Sequence, residues 1–96
     1  MPAFFIAEVI WKDEAARRRY LAAVADTVRA YNGRLLVGPA RSVEGEWNPK
    51  ALAILEFETA ARADEWYDSP EYAELKALRL RESDSKAVLV DAAPRD

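Results

Sequence analysis

The 96-residue sequence contains no cysteine and no histidine. Without cysteine the chain has no disulfide, no thiol nucleophile and no thiolate metal ligand, which fits a reducing compartment. Imidazole is the commonest metal ligand and the side chain that titrates nearest to neutrality. Its absence excludes histidine-ligated zinc, haem held by a proximal histidine and Ser-His relays. We therefore expect no metal and no organic cofactor.

Long apolar runs are also missing from the sequence. No stretch approaches the roughly 20 consecutive apolar residues that a membrane-spanning helix needs. The N-terminus has neither the basic start nor the small-residue cleavage site of a signal peptide. We expect no membrane partner and a cytoplasmic location.

An excess of positive charge is also absent, because the chain has 14 lysines and arginines against 17 acidic residues, for a net charge of −3. Nucleic-acid-binding proteins usually carry a basic stripe, and here the charges are spread along the chain. The one basic run, Arg17–Arg19, fans around a helix and is interpreted as a solvated helix face. We expect no nucleic-acid partner.

The pattern of apolar residues predicts one domain, over residues 1–96, with an α+β fold. Apolar alternation indicates strands, steps of three and four residues indicate helices, and residues such as Asp13, Thr59 and Ser69 suit helix N-caps. The predicted order begins with strand Ala3–Trp11, a helix from Asp13 to Asn32-Gly33 with its apolar face at Leu21, Val24, Val28 and Tyr31, strand Arg34–Val37 with a bulge or bend at Gly38-Pro39, and an extended arm Ser42–Trp47. It continues with strand Ala51–Glu58, a helix from Thr59 that restarts at Ser69-Pro70, a polar break Arg81–Ser85, strand Lys86–Asp91 and a frayed tail Ala92–Asp96.

The order strand, helix, strand, strand, helix, strand is that of the ferredoxin-like βαββαβ fold. This fold places two helices on one face of a four-stranded antiparallel sheet and leaves the other face bare. Two of the predicted strands carry apolar residues on both faces, so the bare face needs a cover. A second copy of the chain, paired sheet to sheet about a two-fold axis, supplies one. We expect a homodimer.

Three blocks of sequence carry a resemblance to a known family: EGEWNPK at 44–50, ILEF at 54–57 and WYDSPEY at 66–72, followed by Leu78-Arg79. They resemble a bacterial domain-of-unknown-function family of the dimeric α+β barrel superfamily. The resemblance implies the fold, the dimer and the importance of six residues: Glu56, Trp66, Tyr67, Ser69, Tyr72 and Arg79. The superfamily includes cofactor-free monooxygenases, isomerases, haem-degrading enzymes and binding proteins, so the resemblance does not select a reaction.

Two glutamates interrupt apolar rows and are candidates for acid–base chemistry. Glu8 and Glu56 lie on neighbouring strands and face away from the helices if Phe5 and Leu55 point inward. Buried in one cleft, two carboxylates raise each other's pKa and can provide a general acid or base. The alternative is that each glutamate pairs with an arginine, such as Arg34 or Arg79, or reaches solvent at the end of its strand.

The remaining candidates follow the third strand. Tyr67, Ser69, Tyr72 and Arg79 offer hydroxyls and a planar cation able to hold a carboxylate or enolate oxygen. Ser69 before Pro70 is also a natural helix cap, and rings at helical spacing are also core. An arginine on an apolar helix face needs an anion, which is either Glu56 or a ligand.

Trp47 lies on the predicted arm and has two interpretations. It is either an anchor of the dimer interface, which we favour because aromatic side chains are enriched there, or the lid of a cleft between helices and sheet.

We expect this cleft to bind or convert a small, anionic or aromatic organic molecule. In the enzymatic interpretation Glu56 is the base, Arg79 steadies an oxyanion with Tyr67 or Tyr72, and Trp66, Ser69 and Glu8 complete the site. In the alternative, the protein is a non-catalytic binding or assembly module.

Overall fold

A computed structural model describes residues 1–92 of the chain. The predicted frayed tail, apart from Ala92, lies outside the described residues. Four strands form one sheet in the order β2-β3-β1-β4, with every neighbouring pair antiparallel, which confirms the ferredoxin-like α+β fold. The elements are β1 Ala3–Trp11, α1 Glu14–Arg29, β2 Arg34–Pro39, β3 Ala51–Phe57, α2 Ala60–Tyr67, α3 Pro70–Glu82 and β4 Ser83–Asp91.

Each helix begins at the cap that the sequence predicts. Asp13, Thr59 and Ser69 have extended backbones, and each side chain accepts a hydrogen bond from the amide three residues later. These bonds satisfy amides that have no partner within the helix. Ser69 with Pro70 therefore separates the predicted second helix into α2 and α3, as its restart signal indicates.

The end of α1 differs slightly from the prediction. The helix stops at Arg29, and the left-handed residue is Asn32, with φ of 59°, rather than Gly33. Gly33 is required by packing, since a Cβ there would lie 2.7 Å from the Phe57 ring and 2.8 Å from Val28. The glycine lets the start of β2 cross close to the core.

The predicted bulge or bend at Gly38-Pro39 is wrong. β2 pairs with β3 in unbroken register from Arg34 opposite Glu56 to Pro39 opposite Ala51. Pro39 has no amide hydrogen to donate. Because β2 is an edge strand, the ladder does not need one at this position. The predicted extended arm Ser42–Trp47 is also wrong, because residues 43–46 form bends and none of residues 42–47 pairs in a strand.

The predicted polar break at Arg81–Ser85 does not exist. α3 continues to Glu82, and β4 begins directly at Ser83, whose hydroxyl donates to the Arg79 carbonyl. β4 then pairs with β1 along its whole length, from Ser83 opposite Trp11 to Asp91 opposite Ala3. Polar residues suit β4 because it is an edge strand and much of it is exposed.

The two faces of the sheet have different surroundings. Odd-numbered residues of β1 and β3 point to the helix-side face, where the core contains Trp66, Tyr72, Phe57 and Val28 as its largest fully buried side chains. Even-numbered residues of these strands point to the outer face, which no helix within residues 1–92 covers. Across residues 1–92, no helix is both long and apolar enough to cross a membrane.

Candidate functional site: a cavity between helix α1 and the sheet

A cavity of about 140 Å³ lies between α1 and the helix-side face of the sheet. Its walls are mostly apolar and come from three strands and from helices α1 and α3. Leu21 of α1 and Val37 of β2 line it and are themselves 41% and 56% exposed, so the cavity reaches the surface beside the β2 edge. Its other apolar walls include Phe5, Ala7, Val9, Leu35, Ala53 and Leu55.

Both charged residues that line the cavity are cations. Arg17 lies on α1 and forms an exposed ion pair with Glu14, with Nη1 3.0 Å from Oε1. Arg79 lies on α3 and is only 3% exposed. The polar chemistry of the cavity is therefore suited to an anion.

Arg79 is a buried cation held by neutral groups. Its Nε donates to the Tyr72 hydroxyl at 3.1 Å, and its Nη1 donates to the Ser85 hydroxyl at 2.6 Å. No carboxylate of residues 1–92 lies within 4.0 Å of its guanidinium. Burial disfavours the charge, but the hydroxyls of Tyr72 and Tyr20 offset it, and the pKa of Arg79 rises.

Tyr20 extends this polar network to the cavity wall. Its hydroxyl lies 2.6 Å from that of Tyr72, and Tyr20 lines the cavity whereas the fully buried Tyr72 does not. Burial, reinforced by Tyr72, raises the pKa of Tyr20 far above its usual value. The phenol stays protonated at neutral pH, so Tyr20 does not neutralise Arg79.

The other aromatic candidates support this network from behind. Trp66 is fully buried, stacks on Tyr72 with 4.0 Å between ring centroids, and donates from Nε1 to the Thr27 hydroxyl at 3.0 Å. Tyr67 is half-buried against Phe5 and has the Lys76 ammonium 4.2 Å from its ring centroid. Neither ring lines the cavity, so any effect on a ligand passes through their neighbours.

Ser69 is occupied by helix capping. Its hydroxyl accepts from the Tyr72 amide at 3.2 Å and donates to the Trp66 carbonyl at 2.7 Å. Both bonds are buried, and Ser69 does not line the cavity. The capping alternative accounts for this residue, and its substrate-binding role stays a prediction without a contact to support it.

Glu56 lies on the outer face, as its alternation with Leu55 predicts. Its Oε1 lies 2.6 Å from Nη2 of Arg34, which is the arginine that the sequence names as one possible partner. Arg79 lies on the other side of the sheet. The predicted site containing both Glu56 and Arg79 is therefore wrong, and any catalytic role of Glu56 belongs to the outer face.

Glu8 also lies on the outer face but far from Glu56. Glu56 is opposite Phe4, and Glu8 is four residues further along β1, or about 13 Å at roughly 3.3 Å per residue. The two carboxylates do not flank one cleft, so the predicted acid–base pair is wrong. Glu8 is instead 3.6 Å from the Lys86 ammonium.

Trp47 packs against Glu8 and Lys86 on the outer face. Its Nε1 donates to Glu8 Oε1 at 3.2 Å, and the Lys86 ammonium lies 5.4 Å from its ring centroid. The side chain is 48% exposed. Because the cavity is on the helix side, Trp47 is not its lid, and the interface role stays a prediction.

The sequence interpretation missed Tyr20 and Arg17 as cavity residues. It set the apolar face of α1 at Leu21, Val24 and Val28, whereas the buried positions are Ala16, Tyr20, Val24 and Val28. The spacing of four residues from Ala16 to Val28 was the available signal. The predicted cleft between helices and sheet does exist, but Arg79 is the one predicted site residue among its lining.

Solved structures with this fold come from several organisms. A dimeric ferredoxin-like protein of unknown function from Jannaschia sp. CCS1 is 14% identical, with a TM-score of 0.73 over 96% of this chain and all of that one. A dimeric ferredoxin-like protein of unknown function from Thermobifida fusca is also 14% identical, with a TM-score of 0.70 over 96% of this chain and 92% of that one. At these identities the likeness shows the fold alone.

An oxygenase has the same fold. SnoaB from Streptomyces nogalater, described as a cofactor-independent oxygenase, is 13% identical to this chain, with a TM-score of 0.74 over 98% of this chain and 95% of that one. None of the curated proteins matches the sequence. A family model does match, over residues 2–93, and the chain belongs to the family that it describes, the domain of unknown function DUF1330.

Proposed function

We propose that the protein binds a small organic anion in the cavity, with its apolar body against the sheet and its negative group at Arg79. The observation that carries the proposal is that Arg79, 3% exposed, has no carboxylate partner among residues 1–92. An unpaired buried charge is costly, and natural proteins pair such charges. A ligand anion is the missing partner.

The size and lining of the cavity define the ligand further. A cavity of about 150 Å³ with apolar walls accommodates a benzene ring, and this one has about 140 Å³. The aromatic and aliphatic walls suit a single ring or a short branched chain. The ligand class is therefore a small aromatic or aliphatic acid, phenol or enol in its anionic form.

The alternatives of conversion and simple binding both remain proposals. Conversion without a cofactor is supported by the likeness in fold to SnoaB and by the pairing of a cation with two phenols, which can stabilise an oxyanion. Non-catalytic binding is supported by the position of Glu8 and Glu56 on the outer face, since neither carboxylate reaches the cavity as a base.

The experiment is calorimetric titration of the protein with benzoate and with benzamide, its uncharged analogue. We expect benzoate to bind more tightly than benzamide. Arg79→Met should weaken benzoate at least tenfold and leave benzamide unchanged, because a hydrogen bond to a charged group contributes about 1.5–3 kcal/mol.

Arg34→Met is the matched control, since it removes an arginine that is ion-paired on the outer face. It should bind benzoate as the wild type does. Equal affinity of the wild type for both compounds, or equal losses in both variants, would contradict the proposal.

A homodimer joined through the outer faces is the assembly that we propose. Ile10, Leu36, Val88 and Val90 point to this face and are 42–60% exposed. A small domain rarely leaves such a patch in water, and the Jannaschia and Thermobifida relatives are described as dimeric. In this proposal Trp47 lies at the interface, and the dimer is cytoplasmic.

Light scattering tests the dimer at micromolar concentration. The expected mass is twice the 10.8 kDa of the chain. A monomeric mass would contradict the assembly without affecting the ligand proposal.

A further inference from the structure

The Tyr20 and Tyr72 hydroxyls share one hydrogen bond in which either can be the donor, so only one of their two hydrogens has its acceptor there. A phenol donates one hydrogen bond. The Tyr72 oxygen accepts from Arg79 Nε at 3.1 Å and lies 2.6 Å from the Tyr20 oxygen. The direction of the bond between the two phenols decides which of them can donate to a ligand.

One direction satisfies both the hydrogen and the oxygen of the fully buried Tyr72 hydroxyl. If Tyr72 donates to Tyr20, the chain of donors runs from Arg79 through Tyr72 to Tyr20, and the Tyr20 hydrogen remains for the cavity. In the reverse direction, Tyr20 and Arg79 both donate to the Tyr72 oxygen. The hydroxyl hydrogen of Tyr72, a residue that is 0% exposed, then has no acceptor among residues 1–92. A buried donor without a hydrogen bond is unfavourable.

Arg79 offers a second donor close to the first. Nε and Nη1 already donate to Tyr72 and Ser85. Nη2 has no hydrogen-bond partner among residues 1–92. Every fully buried side-chain nitrogen and oxygen in that part of the chain does have a partner, so Nη2 is not fully buried. It is therefore accessible at the cavity that Arg79 lines. The Tyr72 hydroxyl, which hydrogen-bonds to both, holds the guanidinium close to Tyr20.

We infer that Tyr20 donates its hydroxyl hydrogen to the ligand's anionic oxygen beside Arg79, and that Tyr72 is the positioning residue that orients Tyr20. This inference rests on the proposed function and narrows its ligand class. Two donors on one oxygen, with two guanidinium nitrogens already engaged, favour a phenolate or enolate over a carboxylate that binds in a bidentate fork.

The probe is 4-nitrophenol, whose anion is coloured, so absorbance reports both its binding and its ionisation. In the wild type we expect the bound probe to have a lower pKa than the same probe in water, because Arg79 and Tyr20 stabilise the anion. Tyr20→Phe should weaken anion binding by roughly tenfold to a hundredfold and raise the pKa of the bound probe by the corresponding one to two units.

The position of Tyr72 gives the second variant. Tyr72→Phe keeps the Tyr20 hydroxyl but removes the group that orients it, so its loss of anion affinity should be smaller than that of Tyr20→Phe. Tyr31→Phe is the matched control, since the Tyr31 hydroxyl donates to Glu71 at 2.8 Å outside the cavity. It should leave the probe unaffected, and circular dichroism checks that each variant is folded.

The outcomes separate the two proposals. If the anion binds the wild type and depends on Arg79, but Tyr20→Phe binds it equally well with an unchanged pKa, the inference about Tyr20 is overturned and the proposed function stands. If the wild type binds neither 4-nitrophenolate nor benzoate, the proposed function itself fails.

Discussion

Charged side chains on the two faces of the sheet have different kinds of partner. On the outer face Glu8 and Glu56 each lie beside a cation, Lys86 at 3.6 Å and Arg34 at 2.6 Å. On the helix-side face, Arg79 is buried among neutral hydroxyls. Paired charges need no ligand, whereas a buried unpaired cation is retained at a cost in stability. This contrast is why the proposed function places the ligand on the helix side.

The same contrast applies to two tryptophans and gives the largest expected effect. Trp66 is fully buried on the helix side, and Trp47 is 48% exposed on the outer face. Trp66→Ala should lower the free energy of unfolding by about 3–5 kcal/mol, because it leaves a cavity in the core. Trp47→Ala should cost less than about 1 kcal/mol within the protomer.

Urea titration followed by circular dichroism measures both changes, at a protein concentration low enough for the chain to be monomeric, so that loss of the proposed interface does not contribute. Similar losses in the two variants would mean that the outer face contributes as much packing as the core, and the comparison of the faces would fail.

Raising the pH above about 10 should lower the free energy of unfolding by a smaller amount, through Tyr20 on the helix side. The pKa of Tyr20 is raised in the folded protein, so its stabilising contribution is present below about pH 10, the pKa of an unfolded tyrosine. It is lost as pH rises further, by about 1.4 kcal/mol per pH unit, because the unfolded state then binds fewer protons.

Tyr20→Phe should therefore flatten the decline in the free energy of unfolding between about pH 10 and about pH 11. An unchanged slope in this variant would mean that Tyr20 ionises as easily in the folded protein as in the unfolded chain.

The fold was predictable because local signals agreed with one another. The caps at Asp13, Thr59 and Ser69 and the apolar alternation of β1 and β3 each point to the same arrangement. The errors lie where tertiary pairing overrides local composition. Pro39 fits an edge strand without a bend, and the polar residues after Arg81 fit an exposed edge strand paired with β1.

The site was harder to predict because distance along a strand depends on register. Alternation correctly places Glu8 and Glu56 on one face, but only the pairing of Glu56 with Phe4 shows that they are far apart. Likewise, an arginine on an apolar helix face signals a missing anion. Whether Glu56 or a ligand supplies it depends on which side of the sheet each residue occupies.

Ligand binding beside Arg79 is tested most directly by a crystal structure of the protein with benzoate or 4-nitrophenolate. We expect the ring in the cavity between α1 and the sheet, with an anionic oxygen within hydrogen-bond distance, about 2.7–3.2 Å, of the Arg79 guanidinium. A ligand bound on the outer face, or Arg79 paired with a carboxylate of the protein itself, would contradict this expectation.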